Sequence, residues 1–100
     1  MTRIYRIMAP EDWHAFQACG VFEGSADDKR DGFIHFSTHE QVPGTHAKHY
    51  GGRAGLILLE VDAEKLGAAL RYEASRGGAR FPHLYGPLPI DAVTNVAELQ

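Results

Sequence analysis

His35 and His83 are the side chains of this chain best suited to chemistry. His35 lies in the run Asp31-Gly32-Phe33-Ile34-His35-Phe36-Ser37, and His83 in Phe81-Pro82-His83-Leu84-Tyr85-Gly86. Both runs read as short strands, in which alternate side chains share a face. His35 then shares a face with Ser37, and His83 with Tyr85. An imidazole can donate, accept or carry charge near neutral pH, which suits ligand binding and acid–base work. If the two faces meet, they form one polar cleft. The plainer alternatives are a half-exposed strand with polar outward residues around His35, and a rigid turn with an aromatic plug around His83. No Gly-x-Ser-x-Gly elbow surrounds Ser37, so it reads as a hydrogen-bonding or capping group and not a nucleophile. Pro82, Gly86 and Pro87 stiffen the second run and hold His83 and Tyr85 in place, where Tyr85 could stack on a ligand or simply pack.

Other groups are weaker candidates. Glu73 ends a strand beside a glycine-rich loop. It is either a surface carboxylate or, if turned into the cleft, a partner for ribose hydroxyls or an oxocarbenium-like centre. Arg71 shares its face and would hold it ionised. His39, His46 and His49 imitate a metal site, but no cysteine joins them and Pro43 separates the first from the others, so they are expected on a solvated helix face with no metal. Gly51-Gly52-Arg53-Ala54-Gly55 and Arg76-Gly77-Gly78 match neither a dinucleotide fingerprint nor a phosphate-binding loop. A phosphate near Arg53, Arg76 or Arg80 has only the charge of those residues to support it.

The elements that must position these groups can be read along the chain. Residues 3–8 form an opening strand. Pro10 starts a helix with Glu11 and Asp12 in its first turn, and Gly20 ends it. Residues 24–31 read as an exposed polar loop. A strand at 33–37 leads to a helix capped by Ser37 or Thr38, interrupted or bent at Pro43-Gly44 and stopped at Gly51-Gly52. Leu56 to Val61 is the most apolar run and reads as a central strand buried on both faces. Asp62 caps a short turn, and residues 70–74 form another strand. Residues 81–86 are strand-like, with Pro82 predicting an edge or a bend. Pro87 and Pro89 flank a turn, a short helix follows at 91–93, and residues 93–99 close the chain as a strand. This mixed order predicts an α+β fold with a curved, mostly antiparallel sheet and two or three short helices.

Composition sets the outer bounds. The 100 residues are 44% apolar and 10% aromatic and carry a formal charge of −3. Such a chain is expected to form one domain over residues 1–100. The scattered cations make no basic stripe, which argues against nucleic acid as a partner. Cys19 cannot form an intrachain disulfide and is expected to pack as a small apolar residue. No apolar run has the length of a signal peptide or a membrane span. A soluble, cytoplasmic protein with a small-molecule ligand is the expectation, and its oligomeric state stays open.

Ile4-Tyr5, Asp31 to Ser37, Gln41, Leu58-Leu59-Glu60-Val61-Asp62, Glu73 and Phe81-Pro82-His83-Leu84-Tyr85-Gly86-Pro87-Leu88-Pro89 together resemble one bacterial family. It is the family catalogued as domain of unknown function 952, and the likeness spans nearly the whole chain. The resemblance implies a divergent ADP-ribosyltransferase-like fold, with a small split, curved sheet and a cleft that in relatives holds NAD. A second, weaker likeness is to the RNA 2′-phosphotransferases, in Ile34-His35-Phe36-Ser37 followed by a helix, Gly51 to Gly55, and the strand ending at Asp62. Where relatives carry a histidine after the first-strand tyrosine, this chain carries Arg6.

By this resemblance NAD or ADP-ribose is the candidate substrate. His35, Glu73 and His83 are the candidate catalytic residues, and Tyr5, Arg6, Ser37, Tyr85 and Gly86 the ligand-binding ones. His35 and Arg6 would hold ribose and phosphates, Tyr85 would stack, and His83 or Glu73 would steady positive charge at the anomeric carbon. Two alternatives stand beside this: a non-catalytic module that binds a metabolite or a protein, and an RNA-end processing enzyme, against which the acidic charge balance argues.

Overall fold

The computed structural model describes residues 2–99 and, within them, every side chain except that of Arg76. The chain runs β1 (Arg3–Met8), α1 (Pro10–Cys19), β2 (Val21–Phe22), α2 (Ala26–Asp31), β3 (Ile34–His35), α3 (Val42–Tyr50), β4 (Leu56–Asp62), β5 (Leu70–Ala74), β6 (Arg80–Leu84), β7 (Leu88–Pro89) and β8 (Val93–Leu99). Short 3-10 turns fill His39–Gln41, Ala63–Ala69, Arg76–Gly78 and Ile90–Ala92. The strands form two three-stranded sheets, β1-β4-β8 and β3-β6-β5, and a β2-β7 ribbon. Every pairing is antiparallel. The mixed α+β class and the antiparallel sheets agree with the reading of the sequence.

The two larger sheets meet at one bridge. Tyr5 N donates to Ser37 O and Ser37 N donates to Tyr5 O, each at 2.8 Å. Because side chains alternate along a strand, this bridge sets Tyr5 and Ser37 on a common face. β4 lies at the centre of its sheet, as its apolar run requires. Leu59 and Val61 enter the main core with Ile4, Met8, Phe16, Phe22, Ile34, Leu84 and Leu88. Leu56 faces the other way, into a smaller cluster with Ile7 and Val42 that Tyr5, Tyr50 and Leu58 border.

Five local expectations need correction. Residues 26–31 form helix α2 and not a loop. Ser25 caps it, accepting from Asp28 N at 3.3 Å, while Asp28 Oδ2 accepts from Ser25 N at 2.7 Å. Pro43 does not break α3; it occupies the first turn, where its missing N–H has no helical partner to lose. β6 is the middle strand of its sheet and not an edge. Phe36 N donates to Pro82 O at 3.0 Å, but proline has no N–H to return the bond, so β3 ends at His35. Leu88 and Pro89, read as a turn, pair with Phe22 and Val21. Cys19 ends α1 exposed, because α1 buries only Phe16.

Candidate functional site

The pairing of β3 with β6 sets His35 directly opposite His83. The pairing of β5 with β6 sets Arg71 opposite His83 and Glu73 opposite Phe81. Directly opposed residues share a face, so the candidate groups are brought together by one face of one sheet, not by two faces that converge. The rings of His35 and His83 are 5.8 Å apart at 66°. Phe33 stacks on His83 at 4.0 Å and lies 4.6 Å from His35 and 5.3 Å from Tyr85.

His35 stands on a buried carboxylate. Its Nδ1 donates to Asp28 Oδ1 at 2.6 Å, and its backbone N donates to the same oxygen at 3.1 Å. Arg6 Nη1 adds a third bond to that oxygen at 2.9 Å and a further one to His35 O at 2.9 Å. The Asp28 side chain is 2% exposed and that of Arg6 8%. Two glycines make this possible. At Gly24 (φ +112) a Cβ would come within 2.8 Å of Asp28 Cβ, and Gly32 (φ +91) turns the chain from α2 into β3. Burial alone would raise the pKa of Asp28. The hydrogen bond from His35 and the charge of Arg6 outweigh it and hold the carboxyl far below its usual range.

The second ring nitrogen of His35, Nε2, faces Asp31 Oδ2 at 2.9 Å. That is ion-pair distance, and a ring set between two carboxylates is favoured in its protonated form. The pKa of His35 is raised accordingly, chiefly by the bond to Asp28, against the opposing effect of burial. Its side chain is 39% exposed and forms part of a cleft of about 760 Å³. Tyr5, Ser37, Thr45, Lys48 and Arg53 line the same cleft.

His83 differs. Its side chain is 7% exposed, under the Phe33 ring. Nδ1 donates to Glu73 Oε1 at 2.8 Å, and Tyr85 Oη donates to the same atom at 2.7 Å. These bonds, that of Tyr85 first, keep the Glu73 carboxyl below its ordinary value, and the same contact raises the Tyr85 hydroxyl. The Arg71 guanidinium lies 5.1 Å from the centre of the Tyr85 ring.

The remaining expected residues divide. Ser37 is buried, and its hydroxyl pairs with Thr45 Oγ1 at 2.9 Å. Tyr5 Oη donates to Glu60 at 3.3 Å, and burial together with that carboxylate raises its pKa. Arg6 does not reach out for phosphate; its guanidinium is turned inward under His35. Gly86 lines a separate hollow of about 320 Å³ with Phe33 and Leu84, outside the His35 cleft. His39 and His49 are exposed, and among the described residues no three His, Cys, Asp or Glu side chains cluster as a metal would require. The side chain of Arg76 lies outside the described residues. No described helix is long and apolar enough to cross a membrane.

The family model for "Protein of unknown function (DUF952)" matches residues 7–96. The chain belongs to that family. It is similar to protein CC0527 from Caulobacter crescentus, whose crystal structure shares 56% identity, covers 99% of this chain and 87% of that chain, and gives a TM-score of 0.95. The solution NMR structure of CC0527 gives 56% identity, 99% and 85% coverage, and a TM-score of 0.88. No curated protein matches.

In this DUF952 chain the residues that sequence reasoning missed are Asp28, Asp31 and Phe33. Ser25 followed three residues later by an acid is a helix-start signal and could have found Asp28. The Asp28–His35 pair also sets a pH dependence. His35 is raised above 6.5 in the fold, so its stabilisation is complete below that pH and is lost as pH rises through the folded value. Asp28 is lowered from 3.8, so its stabilisation is complete above that pH and is lost as pH falls toward the folded value. Urea unfolding is therefore expected to show greatest support from this pair between those two pH values, with a decline above neutrality that His35→Gln removes. Parallel wild-type and His35→Gln profiles above neutrality would contradict the assignment.

Proposed function

We propose that the His35 cleft binds and acts on a small phosphorylated ligand of the NAD or ADP-ribose class. The observation that carries this is the placement of the His35 ring, held by Asp28, facing Asp31 and lying in the cleft beside the Phe33 ring, where the carboxylates favour its protonated form. A cation next to an aromatic face suits a ligand with a phosphate at one end and a flat ring at the other. Lys48 and Arg53 line the same cleft and add positive charge. The Ser37–Thr45 hydroxyl pair can bond ribose hydroxyls. Glu73 is outside the cleft lining but bonded to His83, which is part of it, and is the anion that would steady positive charge at an anomeric carbon. Arg6 and His83 act from beneath, by holding His35, Glu73 and Phe33 in place. The ADP-ribosyltransferase-like fold that the sequence resemblance implies supports the ligand class by analogy.

A non-catalytic binding module is the second reading, favoured by the burial of Arg6 and His83, which removes two of the groups a transferase would turn toward substrate. Titration with NAD and ADP-ribose at millimolar ligand separates the cases. Heat of binding with chemical-shift changes centred on His35, Ser37 and Thr45 is expected. Binding without turnover would favour the module, and silence with both ligands would remove the nucleotide reading.

A further inference from the structure

The two carboxylates on His35 are not equivalent. Asp28 is built in: its oxygens accept five hydrogen bonds, from Arg6, from Ser25 twice and from His35 twice. Asp31 is peripheral. Its side chain is 37% exposed, and among the described residues its other partner besides His35 is Arg30 Nε, at 3.4 Å. It is also poorly placed electrostatically. Asp31 is the last residue of α2, where a helix end favours cations and where Lys29 and Arg30 stand. A carboxylate there works against the helix and is held by the ring it caps.

We propose that Nε2 of His35 is the seat of an oxyanion, a phosphate group of the ligand, and that the Asp31 carboxylate fills this seat in the free protein. The inference rests on reading the cleft as one that takes a phosphorylated ligand. Carboxylate and phosphate oxygens accept the same charge-assisted bond from an imidazolium. An exchange keeps an anion at Nε2 before and after, while Nδ1 keeps its hydrogen bond to Asp28 throughout. Arg30, already in contact with Asp31 and with Asp27 at 3.1 Å, keeps the displaced carboxylate compensated.

Inorganic phosphate and ADP-ribose titrated into the wild type, Asp31→Asn and Asp12→Asn test this, followed by calorimetry and by the His35 ring resonances. Asp12 lines the same cleft and supplies an equal change of charge without touching His35. Asp31→Asn is expected to bind phosphate roughly threefold to tenfold tighter than the wild type. Asp12→Asn should stay within about twofold, as a screened long-range effect. In Asp31→Asn the His35 pKa should fall, then recover as phosphate is added. A helix-end role for Asp31 would give no such recovery. Phosphate binding no tighter in Asp31→Asn than in Asp12→Asn, or shifts that leave His35 unmoved, would overturn the proposal. If ADP-ribose binds all three proteins alike, this inference fails and the nucleotide reading stands. If phosphate behaves as expected and ADP-ribose does not bind, the reverse holds.

Discussion

Asp28→Ala is expected to lower the free energy of unfolding by about 3–5 kcal/mol, because it strands the Arg6 guanidinium in the core without its anion. Arg6 is 8% exposed by side chain, and its Cζ lies 5.4 Å from the centre of the Phe22 ring. For a chain of this length each kcal/mol moves Tm by about 4–8 °C. The loss is a large share of the roughly 5–15 kcal/mol that holds a domain folded. Thermal and urea unfolding measure it. If the alanine variant does not fold, Asp28→Asn keeps the shape and removes only the charge. The double change Arg6→Met with Asp28→Leu should recover only the part of the loss that comes from the stranded guanidinium, since leucine cannot accept the bonds from Ser25 N and His35 N. His35 should then titrate at lower pH, having lost the bond that chiefly raises it. A loss below about 1 kcal/mol, the level of an exposed pair, with unchanged His35 titration would show that Asp28 does not organise the site.

The parts of this fold that were legible in the sequence are those set by short-range pattern. Period-two alternation located β1 at Arg3–Met8 and β5 at Leu70–Ala74, and Pro10 and Gly20 bracketed α1. The same alternation put His35 with Ser37 and Arg71 with Glu73. What it missed depends on distant partners. α2 has six residues, rich in charge and lacking an apolar stripe, so it resembles a loop until Asp28 is seen to meet Arg6, 22 residues earlier. Arg6 sits between Ile4 and Met8 on the face that enters the core, and an arginine at such a position implies an anion from elsewhere. Pro82 misled because a missing N–H usually marks an edge; here the missing donor falls opposite Phe36 and ends β3, while the pairing with β5 continues through Tyr72. The lid that Phe33 makes over His83 follows from the β3–β6 register, which no local pattern fixes.

That lid produces the second large effect, a division of labour between two histidines that the sequence presents as equals. His35→Ala is expected to weaken ADP-ribose binding by about 1.5–3 kcal/mol, the range for a hydrogen bond to a charged group. This corresponds to roughly tenfold to a hundredfold in Kd. His83→Ala is expected to act mainly on stability, by about 1–3 kcal/mol, because Phe33 loses the ring it stacks on and Glu73 one of its donors. Its effect on Kd should stay below about tenfold, less than one such bond. His83→Phe keeps the stack and loses only the bond to Glu73, so it should recover packing and leave affinity near that of the wild type. Calorimetry on each variant, beside its urea midpoint, separates the two roles. Equal losses of affinity in well-folded His35→Ala and His83→Ala proteins would mean that Phe33 swings aside and that both rings meet the ligand. In that case the Phe33–His83 stack at 4.0 Å describes the closed resting arrangement of the site, and Phe33→Ala should raise the association rate. With His83 confined to positioning, Phe33→Ala should instead lower affinity, since it removes the aromatic surface beside the His35 cation.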